Sequence, residues 1–206
     1  MHGLFVTFEG IDGSGKSTQS KAVFESLSAI LGKDRVIKTH EPGDWSGGRD
    51  LRKTIISGNI RSTWAEVLIF LADRCEHVER IIRPALISGM VVLCERYSDS
   101  TTAYQVFGRG FPEDLFCEIS RRALLPIPDV TFWFDIPVSV AMERIASRKS
   151  IPDRFENDAA LLERISSGYE SIFRNEPERI TRLDGTSPES WLTQVIVSRI
   201  LELIAA

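Results

Sequence analysis

Short apolar runs recur at Leu4 to Phe8, Val36 to Ile37 with their flanks, Val91 to Cys94, Val130 to Phe134 and, more weakly, Ile180 to Leu183, with helix-period segments between them. Runs of this kind suit strands buried on both faces, and their alternation with helices predicts an α/β fold with a parallel sheet. Such a sheet opens its ligand crevice at the carboxyl ends of its strands. Those ends are followed by Glu9-Gly10, His40-Glu41-Pro42-Gly43, Glu95-Arg96, Asp135 and Asp184-Gly185, which are far more polar than the strands themselves.

The helix from Lys16 to about Leu31 carries Ala22, Val23, Leu27, Ile30 and Leu31 and is expected to stop at Gly32. A longer helix starts at Thr63 with Glu66 three residues on, the spacing of a capping box, and shows the stripe Trp64, Val67, Leu68, Leu71, Cys75, Val78, Ile82. Pro84 is expected to bend its end. Pro112, Pro137 and Pro188 stand at or near the first turn of further helices, where the missing N–H removes no bond. Gly168, inside the Ala160 to Phe173 pattern, marks a close approach or a weak point. No internal repeat or low-complexity linker divides the chain.

With 206 residues, 43% of them hydrophobic, one sizeable core can be buried, and a single domain over 1–206 is expected. The formal charge of −4 excludes the broad basic field of a nucleic-acid binder. Cys75, Cys94 and Cys117 are odd in number, lack zinc or C-x-x-C spacing, and read as buried small apolar residues in a reducing compartment. No apolar run approaches membrane-spanning length, and the first strand begins within a few residues of Met1. A cytoplasmic protein with no signal peptide and no membrane partner is therefore expected.

The chemistry starts at Glu9-Gly-Ile-Asp-Gly-Ser-Gly-Lys-Ser-Thr18, which fits G-x-x-x-x-G-K-[ST] between a strand and a helix. In that setting Gly10, Ile11, Asp12, Gly13, Ser14 and Gly15 turn backbone N–H groups onto a phosphate. Lys16 adds a charge at the outer phosphates, Ser17 a hydroxyl for Mg²⁺, and Thr18 continues into the helix. A nucleoside triphosphate is the expected ligand. Glu95-Arg96 closes an apolar strand as a metal-organising acid would, able to hold Mg²⁺ through water or to take a proton.

Phe70 and Arg74 lie four apart on the long helix and so share a face. They suit a nucleobase, as a stacking surface and a fork of donors; alternatively Phe70 widens the buried face and Arg74 pairs with Glu66 or Glu79. The row Tyr97-Ser98-Asp99-Ser100-Thr101-Thr102-Ala103-Tyr104-Gln105 either hydrogen-bonds a base and sugar or starts a helix. Ser147 to Asp158, charged and interrupted by proline, reads as a flap that excludes water and delivers Arg148, Lys149 or Arg154; its other reading is a solvated loop.

Taken in order, Phe8 to Thr18, Glu41-Pro42-Gly43, Phe70-Leu71-Ala72-Asp73-Arg74, Glu95-Arg96-Tyr97 with Ser100, Thr101 and Ala103-Tyr104-Gln105, and Asp153-Arg154-Phe155-Glu156 resemble the motifs of thymidylate kinases. The resemblance implies a P-loop NTPase fold of nucleoside monophosphate kinase type, with a five-stranded parallel sheet and helices on both faces. It implies transfer of the ATP γ-phosphoryl to dTMP with Mg²⁺ held by Ser17, Asp12 and Glu95, in a homodimer packed through the long helix.

By the same resemblance Asp12 would meet the sugar 3′-OH, Phe70 would stack on thymine, and Arg74 would meet its O4 edge. Arg96 with Arg52 would clamp the acceptor phosphate beside Glu41 and Pro42. Ser100 and Thr101 would lie toward the base, and Tyr104 would exclude a ribose 2′-OH. Arg144 and Thr186 would flank the adenine. Lys16, Glu95, Arg96, Arg148 and Arg154 would carry the catalysis.

Several positions depart from the family pattern. His40 replaces an arginine, Asp44-Trp45-Ser46-Gly47 replaces Gly-Gly-Thr, Glu95 replaces an aspartate, and Gly13 is not basic, which moves the transition-state cations to the flap. A deoxynucleoside kinase is the alternative enzyme. A nucleotide switch is disfavoured, because Asp44-Trp45-Ser46-Gly47 fits D-x-x-G but no N/T-K-x-D signature occurs.

Overall fold

The structure, a computed structural model, describes residues 3–56, 60–147 and 158–205. Five strands, β1 (Leu4–Glu9), β2 (Val36–His40), β3 (Val91–Glu95), β4 (Val130–Asp135) and β5 (Ile180–Asp184), form one parallel sheet in the order β2-β3-β1-β4-β5. The central place of β1 puts the loop that leaves it over the middle of the crevice.

Alternate residues of each strand go to opposite faces, and both faces are covered. On one, Val6, Phe8, Leu93, Phe132 and Phe134 join Val23 and Leu27 of α1 (Lys16–Leu31) and Ile196 and Ile200 of α9 (Glu189–Ala205). On the other, Phe5, Val92 and Cys94 join Val78 and Ile82, which follow α3 (Thr63–His77). Trp133 stacks on Tyr169 of α8 (Ala159–Asn175) on that side. Two-sided burial is why the inner strands β1, β3 and β4 read as largely apolar runs, while the edge strands β2 and β5 keep exposed polar residues.

The structure corrects several details. The cap of α3 is Ser62, whose Oγ accepts from Ala65 N at 3.4 Å. Glu66 is not part of a capping box: it falls on the buried face and holds Gln105 Nε2 at 2.7 Å and the Arg109 guanidinium. Of the expected stripe, Trp64 and Leu68 stay about half exposed, at 52% and 53%.

Before Pro84 the helix widens into a π turn at Val78–Ile82 and continues as α4 (Arg83–Ile87), because proline offers no N–H and its ring crowds the carbonyl four residues back. Cys94 is buried as expected, but Cys75 is only half-buried and Cys117 is exposed on α6 (Glu113–Arg122). Gly168 does mark a close approach: a Cβ there would stand 2.8 Å from Phe107 Cβ, in the π turn Thr102–Phe107 that follows the short helix α5 (Ser98–Thr101). No described helix is long and apolar enough to cross a membrane.

Candidate active site

The loop from Gly10 to Gly15 joins β1 to α1. Gly13 has φ +82°, and a Cβ there would lie 2.7 Å from Ala141 O, on α7 (Val138–Ala146). The absence of a cation at this position is thus enforced by backbone shape and by the helix packed against it. Lys16 is buried, and its Nζ donates to Ile11 O at 2.8 Å and Ser14 Oγ at 3.4 Å. Burial, and after it the Arg96 charge, lowers the ammonium to about 8, against the pull of Asp12, Glu95 and Glu9.

Ser17 Oγ donates to Glu95 Oε1 at 2.5 Å, so the first turn of α1 and the end of β3 meet there. Thr18 is exposed on the same turn. Arg144 of α7 donates to Gly13 O and Gly185 O at 3.2 Å, strapping the phosphate loop to the turn after β5. Thr186 in that turn is tied to Asp184 Oδ1 through both its N and its Oγ1, at 2.9 and 2.6 Å.

Beside the loop, a cavity of about 460 Å³ opens over the ends of β1, β2 and β3. Asp12, Glu41, Pro42, Arg52, Phe70, Arg74, Arg96, Ser100, Thr101 and Tyr104, the residues the sequence groups around an acceptor, all line it, together with Ser17 and Glu95. Tyr97 and Gln105, from the row that suits a base and sugar, line it too, as do Lys38, His40 and Ile55, to which the sequence assigns no site role. The pleat and strand end could have pointed to two of them: Lys38 and His40 alternate along β2 toward the crevice.

Arg74 is almost wholly buried and pairs with neither Glu66 nor Glu79. Its Nε donates to Glu41 Oε2 at 2.7 Å, and its Nη2 to Tyr97 O and Thr101 Oγ1, both at 3.0 Å. Among the described residues Nη1 has no partner, and neither has the buried Tyr97 hydroxyl, whose ring lies 5.0 Å from the guanidinium. Buried donors without acceptors mark places where a ligand or water completes the structure.

Arg96 sits between loop and cavity. Its Nη2 donates to Asp12 Oδ1 at 2.5 Å and to Tyr104 Oη at 3.2 Å, and its Nη1 to Ser100 Oγ at 3.2 Å. The Tyr104 hydroxyl in turn donates to Asp12 Oδ2 at 2.7 Å. Burial would raise the Asp12 carboxyl, but Arg96 and Lys16 hold it down at about 2. Arg52, on α2 (Gly48–Ile56), donates from Nη1 to Pro42 O at 2.9 Å.

The αL backbone of Arg96, φ +65°, is unusual for a residue other than glycine. Glu9 holds it there. Fully buried, its carboxylate accepts from Tyr97 N at 2.7 Å, Ser100 N at 3.3 Å, Ser100 Oγ at 2.6 Å and Tyr169 Oη at 3.0 Å. Burial, then the Asp99 charge, pushes its carboxyl up. The sequence reading gave Glu9 no role, although it is an acid ending an apolar strand as Glu95 is. The flap expected over 147–158 falls outside the described residues apart from its ends, and Arg148, Lys149 and Arg154 lie outside them.

The thymidylate kinase family model matches residues 8–196. A thymidylate kinase of Desulfovibrio desulfuricans is 40% identical over 196 residues, spanning 90% of this chain and 89% of that one. One from Gluconobacter oxydans is 39% identical over 194 residues, with 91% and 90% covered. The crystal structure of the Ehrlichia chaffeensis thymidylate kinase superposes with a TM-score of 0.82 at 29% identity, over 98% of this chain and all of that one. The chain belongs to the thymidylate kinase family. It is accordingly a phosphotransferase, with the α/β fold of that family's nucleoside monophosphate kinase type.

Against the thymidylate kinase pattern, the departures at the end of β2 and in the second loop, residues 41–47 after that strand, now have contacts. His40 Nδ1 lies 3.3 Å from Asp44 Oδ2, and Trp45 Nε1 donates to Asp73 Oδ1 at 2.8 Å, fastening the loop to α3. For a metal, no described group of three or more His, Cys, Asp or Glu would serve alone. The oxygen pair Ser17 and Glu95 fits Mg²⁺, which keeps most of its ligands as water and substrate phosphate.

Proposed function

We propose that the chain phosphorylates dTMP to dTDP with ATP and Mg²⁺. The observation that carries the choice of acceptor is Arg74: it lies in the cavity wall, held on three sides, with Nη1 left over for a carbonyl oxygen such as O4 of thymine. Phe70, half-buried in the same wall, offers the stacking face. A nucleoside acceptor would have no use for the cations at the other end of the cavity, Arg96 and Arg52, which suit a monophosphate.

In this reading Gly10 to Thr18 hold the triphosphate, with Arg144 and Thr186 near the adenine. Lys16 leaves Ile11 O for the outer phosphates. Arg96 exchanges part of its Asp12 contact for the acceptor phosphate, and Asp12 is freed to accept from the 3′-OH. Tyr104, braced by Asp12, stands where a 2′-OH would intrude. Mg²⁺, near Ser17, Glu95 and Asp12, would neutralise charge on the phosphates. An acceptor phosphate oxygen is already ionised at neutral pH, so Glu95 acts as an organiser and not as a base. The remaining transition-state cations are assigned to Arg148 and Arg154 on the sequence alone.

The proposal extends to one domain over the whole chain, in the cytoplasm, and to a homodimer through α3. Half-exposed Trp64 and Leu68 support the pairing, and light scattering should give twice the 23.2 kDa chain mass. The central experiment is turnover of dTMP, dUMP, dCMP, AMP and thymidine with Mg-ATP. Preferred use of dTMP is expected. Turnover of AMP or thymidine in place of dTMP would sink the reading.

A further inference from the structure

Beneath the acceptor cavity a chain of buried polar contacts links the second loop to Arg74 through His77, the last residue of α3. Asp44 Oδ2 accepts from Thr39 Oγ1 at 2.9 Å, and Thr39 Oγ1 lies 2.6 Å from His77 Nε2. His77 Nδ1 lies 3.0 Å from Glu41 Oε1, and Glu41 Oε2 accepts from Arg74 Nε at 2.7 Å. Thr39, Glu41, Arg74 and His77 are each at most 4% exposed. Arg74 and His77 stand three apart, so both side chains leave α3 on one face.

A hydroxyl has one hydrogen to give. His40, and then Thr39, keep the Asp44 carboxyl at about 2, so it is ionised and can only accept. The Thr39 hydrogen therefore goes to Asp44, and the contact with His77 is satisfied only if Nε2–H donates to Oγ1. On the other side of the ring stands a carboxylate already paired with Arg74, which again can only accept, so Nδ1–H donates to Glu41. The charged groups around the ring are Glu41 and Asp44 from the second loop and Asp73 and Arg74 from its own helix. Asp73 is engaged elsewhere, by Gly43 N at 3.0 Å and Trp45 Nε1.

We propose that His77 is a positioning residue for the acceptor: donating at both ring nitrogens, it fixes the Glu41 carboxylate, and through it the Arg74 guanidinium, in the orientation that leaves Nη1 for the base. This rests on the dTMP reading above. A ring that only filled space would not need its two nitrogens matched to an acceptor on each side. The second loop then contributes to base recognition without touching the base, because Asp44 and Thr39 set which way the ring's hydrogens point.

Two measurements test this. In ¹⁵N NMR of the folded protein, His77 Nδ1 is expected to carry a hydrogen shared with Glu41; an Nδ1 without a hydrogen overturns the proposal. In steady-state kinetics, His77→Leu should raise KM for dTMP about tenfold, as expected for losing a hydrogen bond to a charged group, while KM for ATP and kcat change less than about twofold.

His77→Asn, whose amide can reproduce the Nδ1 donor, should recover most of that loss. Should His77→Leu fail to fold, Thr39→Val removes the hydroxyl link without touching α3, and should raise KM for dTMP about threefold. An unchanged KM for dTMP in the folded variant, or equal loss for both substrates, overturns the role. Wild-type enzyme inactive on dTMP would instead defeat the functional reading, and the NMR result stands apart from it.

Discussion

On the phosphate-loop side of the crevice, Lys16 Nζ rests on Ile11 O and Asp12 is tied to Arg96, contacts that phosphates and a sugar hydroxyl would have to take over. On the opposite side, Arg74 is bound on Nε and Nη2 to Glu41, Tyr97 and Thr101 and keeps one donor spare. The first set of charges satisfies itself with what a ligand would displace; the second is complete without the ligand except at one atom. Exchangeable charges suit a site whose work is done as charge develops in the transition state, and fixed ones suit recognition. Mutations on the two sides should therefore fail differently: the loop side in rate, the Arg74 side in stability and acceptor binding.

The largest effect is expected from Lys16→Met. Loss of a single preorganised donor to developing charge lowers kcat by about 10² to 10³. The folded chain holds the ammonium at a cost in burial, since its pKa is lowered, so Tm should stay the same or rise. A variant with near-normal kcat, or one that loses rate only because it melts, breaks the contrast.

Glu41→Ala tests the other side. It leaves Arg74 and His77 buried without their shared acceptor, and removal of one member of a buried pair costs about 3 kcal/mol or more. At this chain length that is a Tm loss of about 10 °C. Glu118→Ala, which removes an acid paired with Arg121 and Arg122 on the open surface of α6, serves as the control and should leave Tm unchanged. Equal behaviour of the two variants would show that the buried cluster does not hold the loop to α3.

The same contrast explains what could be read from the sequence. The phosphate loop is contiguous, and its glycines, lysine and serine are fixed by the backbone they must form, so residues 10–18 and the strand before them were legible without any structure. The inner strands β1, β3 and β4 were legible because burial on both faces leaves no polar alternation to confuse them, and the edge strands β2 and β5, half open to solvent, were correspondingly weaker.

The Arg74 cluster joins residues from β2, the second loop, α3 and the turn after β3. Phe70 and Arg74 stand out as a helix face, and Ser100 and Thr101 fall in a hydroxyl row that suits a base or a helix start, but the partner of Arg74 is out of reach of helical spacing, and only family resemblance gathers Glu41 and Arg52 with it. Glu9 shows in the sequence only as a polar strand end and His77 not at all: a carboxylate and an imidazole are normally surface groups, and their burial depends on partners 91 and 36 residues away. Glu66 was misread for the same reason, since S/T-x-x-E spacing is local while its actual partners, Gln105 and Arg109, are not.

The smallest effect, and the one most particular to the loop side, is on pH dependence. In the free protein the Lys16 ammonium is lowered from 10.5 to about 8. Between those values the unfolded chain binds more protons than the folded one, so stability rises with pH there, while the charge that would meet the triphosphate is being lost. Because kcat/KM reports the free enzyme, its value for ATP should fall above pH 8 and be about tenfold lower at pH 9 than on its plateau. At saturating ATP the bound phosphates hold the proton on, so kcat should stay level to higher pH. Lys16→Arg, whose guanidinium stays charged throughout, should lose the alkaline limb whatever its absolute rate. A wild-type kcat/KM for ATP that is flat through pH 9.5 would mean that Lys16 keeps its charge without a ligand. The loop side would then be as preset as the Arg74 side.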